Sequence, residues 1–297
     1  MHEIDANPVG ADAGVGAGST STPPAARTEP SAGVARIAAA FKAARGEGRA
    51  ALMPYVMAGF PDHDSSLAVA AAYADSGADL IELGIPFSDP LADGPTIHAA
   101  ATTALRGGAT LGSALEVCEA VSGRIPVVLM VYANMVLAED GAAAFAGRAA
   151  AAGAAGVIVP DLPLEEAVDV RPAFEAAGLA LVPLLAPTSP ADRRARICAA
   201  AQGFVYLVST VGTTGERQDL PAGLPELIAA TKSDAKVPVA VGFGIATPEQ
   251  AAEVGAIADG VIVGSRLVRA AGEAGSADAA AKAVAAFLRE TRAALGG

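Results

Sequence analysis

Eight short apolar runs, each followed by an alanine-rich amphipathic stretch, recur through the chain, and this alternation limits the fold more than any other feature. The runs fall at 52–58, 79–85, 126–132, 156–159, 179–186, 204–209, 237–241 and 260–263. The segments between them are too long for hairpin turns and carry helical stretches at 65–76, 141–152, 164–177, 190–201, 221–232 and 248–254. Strands joined by helices run parallel, because a parallel pair needs a crossover of a dozen or so residues. The runs 157–159 and 261–263 are apolar on both faces, as strands covered by helices must be. Eight such repeats fit either an open doubly wound sheet or a closed (β/α)8 barrel. The repeat count, the 297-residue length and a glycine signature after the last two runs favour the barrel (TIM barrel). A further helix at 34–44 precedes the first run and is placed to plug the barrel floor; a terminal helix covers 278–294.

Local signals agree with this frame. Thr247 before Pro248 and Ser189 before Pro190 read as N-cap and N1 pairs. Gly77 and Gly178 stand where helix ends need a positive φ. Residues 1–32 are rich in Gly, Ala, Ser, Thr and Pro without an apolar period, so they are expected to be a disordered extension ahead of a single domain at 33–297. The N-terminus opens on Glu3 and Asp5 without the apolar core of a secretory signal. The most apolar run, 125–138, is too short to span a bilayer and contains Asn134. A soluble cytoplasmic protein is expected. The formal charge of −12 disfavours nucleic acid and anionic lipid as partners, so an anionic ligand would have to be gripped by local donors. Cys118 and Cys198 are isolated, and the three histidines form no cluster of metal-ligand spacing.

In a barrel of this kind chemistry gathers at the C-terminal ends of the strands. Glu82 lies in the middle of an apolar run, where burial raises a carboxyl pKa toward the range useful for acid/base work. The alternative is a structural glutamate satisfied by backbone donors or an arginine, and the residue alone does not decide between them. Asp93 lies in a Pro- and Gly-stiffened loop ahead of a helix; an ordinary turn aspartate is the simpler reading of that stretch by itself. Gly242-Phe243-Gly244 and Gly264-Ser265 follow the last two runs, where backbone N–H groups and a helix N-terminus can hold a phosphate. The polar loop 209–219 fits either a lid or a plain surface loop. Tyr206 fits either the mouth or the core.

The stretch Glu82-Leu83-Gly84-Ile85-Pro86-Phe87-Ser88-Asp89-Pro90-Leu91-Ala92-Asp93-Gly94-Pro95-Thr96-Ile97 resembles the signature of the tryptophan synthase alpha family. The likeness extends over about residues 34–292 and includes Pro54 to Pro61, Val159-Pro160-Asp161-Leu162-Pro163 and both glycine turns. It implies a lyase that cleaves indole-3-glycerol phosphate to indole and glyceraldehyde 3-phosphate. Carried over by position, it implies Glu82 and Asp93 as catalytic residues. It implies Tyr55, Tyr206, Thr214, Gly215, Gly244, Gly264 and Ser265 as substrate-binding residues. It implies Pro86, Phe87, Ser88, Asp89, Pro90 and Asp161 as a face for a beta subunit in an alpha2beta2 heterotetramer. No metal or cofactor is implied for this chain; pyridoxal phosphate is expected only in the beta partner. The chain departs from the pattern at Thr210-Val211, where an Arg-bearing pair is common, and at His98, where Gln is frequent. Three other readings predict different behaviour: a sugar-phosphate isomerase, a stand-alone lyase, or a non-catalytic regulatory subunit.

Overall fold

The β-branched and leucine-rich runs form strands because both of their faces are covered. The computed structural model describes residues 31–138, 140–208, 223–242 and 244–296. Its strands are β1 (Ala51–Met57), β2 (Ile81–Gly84), β3 (Val127–Met130), β4 (Gly156–Ile158), β5 (Ala180–Val182), β6 (Leu184–Leu185), β7 (Val205–Val208), β8 (Val239–Gly242) and β9 (Gly260–Val263). Its first six helices are α1 (Ala32–Gly46), α2 (His63–Asp75), α3 (Pro95–Arg106), α4 (Leu111–Ser122), α5 (Ala133–Leu137) and α6 (Gly141–Ala151). The others are α7 (Leu164–Ala176), α8 (Ala191–Ala200), α9 (Leu224–Asp234), α10 (Pro248–Gly255), α11 (Ser265–Glu273) and α12 (Ala277–Leu295).

All strand pairs are parallel, in the order β5-β4-β3-β2-β1-β9-β8-β7-β6. The two end strands are consecutive in the chain and separated only by Pro183, so the sheet closes on itself as the expected barrel. The single run expected at 179–186 is therefore two strands. Proline has no N–H to give to a ladder. At Pro183 the segment changes partner, from β4 on one side to β7 on the other. The Pro183 carbonyl still accepts from the Tyr206 N–H at 3.0 Å, which carries the seam across.

Thr247 caps α10 and forms a reciprocal box with Gln250, as its position predicts. Gly77 and Gly178 have φ of 96° and 78°. The Ser189-Pro190 expectation is off by one residue. A turn closed by the Ser189 N–H on the Ala186 carbonyl (3.0 Å) places Pro190 at the N-cap and starts the helix at Ala191. Helix α1 begins at Ala32, capped by Ser31, slightly ahead of the expected start. The rest of the expected N-terminal extension lies outside the described residues.

Helix α1 lies across the barrel floor. Ile37 and Phe41 are buried against Met53, Leu80, Val128, Ile158, Phe204 and Ile262 inside the barrel, with the Phe41 and Phe204 rings 5.6 Å apart. The outer strand faces pack on the surrounding helices. An ionic cluster closes the same end. Arg49 donates to both Asp79 carboxylate oxygens at 2.6 and 2.8 Å. Asp79 also accepts the Leu52 N–H, and Arg292 of α12 reaches Asp79, Glu47 and the Gly77 carbonyl. With the floor filled and locked, the other end of the barrel is where a cavity can form.

Candidate active site

Side chains alternate along a strand, so Ile81 and Leu83 of β2 pack outward and Glu82 points into the barrel. Its neighbour in register on β1 is Tyr55. Glu82 is 1% exposed, and its Oε2 meets no hydrogen-bond partner among the described residues. Burial, with the nearby Asp93 charge second, pushes its carboxyl up to about 8. The satisfied structural glutamate is therefore not what β2 presents. The group is largely protonated at neutral pH and can give a proton to a ligand, then take one back.

Asp93 reaches the same cavity from the loop ahead of α3, where Gly94 is the N-cap and Pro95 the first helical residue. Burial raises its carboxyl, while a hydrogen bond from the Tyr132 hydroxyl and the His98 charge hold it down. Tyr132 also fixes the loop's path. Its hydroxyl accepts the Ala92 N–H at 3.1 Å, and its ring stacks on Phe87 with centroids 5.2 Å apart. Tyr132 does not figure among the residues expected from the sequence, although it closes the third apolar run, at the strand end where site residues belong.

Tyr55 and Tyr206 are both pushed to higher pKa by burial first and then by the neighbouring carboxyls of Glu82 and Asp93. Each lies over a glycine of the next strand. A Cβ on Gly84 would fall 1.8 Å from the Tyr55 hydroxyl oxygen, and one on Gly242 would fall 2.6 Å from that of Tyr206. These glycines make room for the tyrosines to lie along the cavity wall.

The far wall is polar backbone. Gly244 has a φ of 70°, and Gly264 is the N-cap of α11, whose N-terminus no side chain caps. Ser265 is buried at the first position of that helix. Helix N–H groups without side-chain partners, reinforced by the helix dipole, suit a phosphate. One cavity of about 360 Å³ is lined by Glu82, Asp93, Tyr55, Tyr206, Gly244, Gly264 and Ser265 together, with Met130, Leu184 and Ile262 supplying apolar wall. Thr214, Gly215, the departure at Thr210-Val211 and the lid expectation all lie outside the described residues.

Around the mouth, Pro86 is buried, Phe87 and Pro90 are half-buried, and Ser88 and Asp89 are exposed. Leu91 is 83% exposed. The Asp161 carboxylate accepts the Ala133 N–H at 2.8 Å and so holds the start of α5. Among the described residues no group of three or more His, Cys, Asp or Glu is placed to hold a metal ion, and no helix is long and apolar enough to cross a membrane.

With this geometry in view, the chain was compared with known proteins. Residues 41–295 match the family model for the tryptophan synthase alpha chain. The tryptophan synthase alpha chain of Prochlorococcus marinus (strain MIT 9313) is 49% identical over 238 residues, which covers 79% of this chain and 86% of that one. That of Synechococcus sp. (strain CC9902) is 47% identical over 250 residues, covering 83% and 93%. Among solved structures, one of Mycobacterium tuberculosis tryptophan synthase superposes with a TM-score of 0.82 at 40% identity, covering 90% of this chain and 99% of that one. One from Pyrococcus furiosus, concerned with mutual activation of the tryptophan synthase a2b2 complex, gives 0.76 at 38% identity, covering 81% and 97%.

Proposed function

Because the chain belongs to the tryptophan synthase alpha chain family, and is thus a lyase of tryptophan biosynthesis, we propose that Glu82 and Asp93 carry out its cleavage of indole-3-glycerol phosphate to indole and glyceraldehyde 3-phosphate. The observation that carries the assignment is that a buried carboxyl oxygen with no partner among the described residues and a helix N-terminus without a side-chain cap face one cavity.

The bond from indole C3 to the glycerol carbon breaks heterolytically only once C3 is protonated. Glu82, neutral at working pH, supplies that proton. Positive charge then spreads toward the ring nitrogen, where the Asp93 carboxylate stabilises it. As the carbon–carbon bond breaks, its electron pair restores the aromatic ring, and the adjacent hydroxyl loses its proton to Glu82 and becomes the aldehyde. Glu82 ends as it began, so one carboxyl serves as acid and then as base. Gly244, Gly264 and Ser265 hold the phosphate, and that remote binding energy orients the reacting bond. Tyr55 and Tyr206 line the ring-binding wall; Thr214 and Gly215, which lie outside the described residues, are assigned to substrate binding by the family likeness alone. The chemistry asks for no metal or organic cofactor in this chain. The residues Pro86 to Pro90 and Asp161 form the face that docks a beta subunit in an alpha2beta2 assembly, in which pyridoxal phosphate belongs to the partner; the P. furiosus complex supports that reading. A barrel at 33–297 acting in the cytoplasm behind an N-terminal extension completes the proposal.

The test is indole release from indole-3-glycerol phosphate, with and without a beta subunit. Glu82→Gln should lower kcat by about a thousandfold, and Asp93→Asn by about a hundredfold, in line with the worth of positioned acid/base groups and charge stabilisers. Wild-type turnover in Glu82→Gln would overturn the assignment.

A further inference from the structure

Strand β8 ends at Gly242 and α10 begins at Pro248, and the turn between them brings Gly244 to the cavity wall. Gly244 holds a φ of 70°, a setting that glycine enters freely and leaves as freely, so it has to be held by its neighbours. Its N–H makes no hydrogen bond with another described residue. The N–H groups of Ala246 and Thr247 are taken up from behind. Gln250, in the first turn of α10, accepts the Ala246 N–H at 2.8 Å and the Thr247 N–H at 3.3 Å, both on Oε1. The Thr247 hydroxyl in turn accepts the Gln250 N–H at 3.3 Å. A capping box needs only the exchange between Thr247 and Gln250. The shorter bond goes to Ala246, one residue ahead of the helix cap, and serves the turn rather than the helix. Ile245, buried in the outer core, anchors the residue between.

We propose that Gln250 is a positioning residue for the phosphate end of the cavity. One side-chain oxygen takes two donors of the turn out of competition. That leaves the Gly244 N–H as the donor the turn offers to a ligand, and it keeps the glycine in its left-handed setting. This rests on the assignment of Gly244, Gly264 and Ser265 to the phosphate made above, and extends it to a side chain outside the cavity lining. The other half of the grip has its own support. Gly264 opens α11 directly behind β9, and its carbonyl accepts the Leu267 and Val268 N–H groups at 2.9 and 3.1 Å. Gly244 belongs to a turn and not to a helix start, so its geometry depends on what stands behind it. Without the Gln250 acceptor, the Ala246 and Thr247 N–H groups are released to water or to a phosphate oxygen, and the turn loses its fixed direction. The ring-binding wall stands on other strands and is untouched by that change.

The experiment measures kcat and KM for indole release from indole-3-glycerol phosphate, with competitive inhibition by inorganic phosphate and by indole, in wild type, Gln250→Met and Thr247→Val. Gln250→Met keeps the side-chain length and removes the acceptor. Its KM and its Ki for inorganic phosphate should both rise about five- to twentyfold, in line with the net worth of one or two hydrogen bonds. Its kcat and its Ki for indole should stay within about threefold of wild type. Thr247→Val removes the helix cap and leaves Gln250 its bonds to the turn. It should lower the thermal midpoint comparably to Gln250→Met, with phosphate inhibition within about twofold of wild type. A wild-type phosphate Ki in Gln250→Met would overturn the role of Gln250 and leave the phosphate assignment standing. So would an equal weakening of phosphate and indole, or the same rise in Thr247→Val, because either result traces the loss to α10 as a whole. Inorganic phosphate that fails to compete with the substrate in wild type would instead overturn the phosphate assignment and this role with it.

Discussion

Glu82 is held in a setting that penalises its charge, and that penalty links folding to pH. Its carboxyl rises from 4.5 to about 8 on folding. A group with a raised pKa contributes its full stability below the unfolded value and loses it as pH climbs through the folded one. Between about pH 4.5 and 8 the folded state therefore weakens relative to a chain with a neutral side chain at that position. Glu82→Gln removes the titration and keeps the shape. Urea unfolding at pH 5 and pH 8.5 should find the variant close to wild type in the acid and more stable in the alkali, by at most roughly 4–5 kcal/mol at 1.36 kcal/mol per pKa unit. An offset that is the same at both pH values would mean that burial does not set the Glu82 proton. This is the stability a lyase gives up to keep a titratable acid inside its barrel.

At the scale of elements, the glycine–tyrosine pairings decide how the cavity is walled. Gly84→Ala would drive a methyl group into the Tyr55 hydroxyl and should destabilise by about 1–3 kcal/mol. Gly147, inside α6, has nothing within 4 Å of an added Cβ, so Gly147→Ala should stabilise by up to about 1 kcal/mol. Denaturant midpoints of the two variants, read side by side, separate a steric need for glycine from a tolerated one. The elements themselves were legible in the sequence wherever one period dominated, as in the eight runs and the Thr247 cap. Glu82 stood out because a carboxylate in an all-apolar strand demands an explanation. What escaped was set by contacts distant in sequence or by single-residue register. Tyr132 earns its role only when a loop some forty residues upstream folds back over the next strand. The one-residue shift at Ser189 depends on a turn to Ala186 that no propensity announces. The break at Pro183 was visible as a proline within an apolar run, and its meaning as the barrel's seam emerges only from the strand order.

The whole molecule divides its work between two ends. The floor is filled by Ile37 and Phe41 and tied by Arg49, Asp79, Glu47 and Arg292, while the acids, the glycine turns and the rim loops crowd the opposite end. Arg49→Ala would remove both of the shortest bonds to the Asp79 carboxylate and leave it the single Arg292 contact at 3.3 Å, and should cost at most about 3–5 kcal/mol. Thermal unfolding would report that loss, and indole release at 25 °C per folded molecule should stay within about twofold of wild type, because no floor residue touches the cavity. Helix α1 enters at the floor, with the Gly33 N–H on the Gly178 carbonyl, and α12 finishes there, with Leu295 beside Gly255. A handle fused directly to Ser31 or to Gly296 therefore departs from the underside, so a barrel held from either of those points keeps its working face turned to solution.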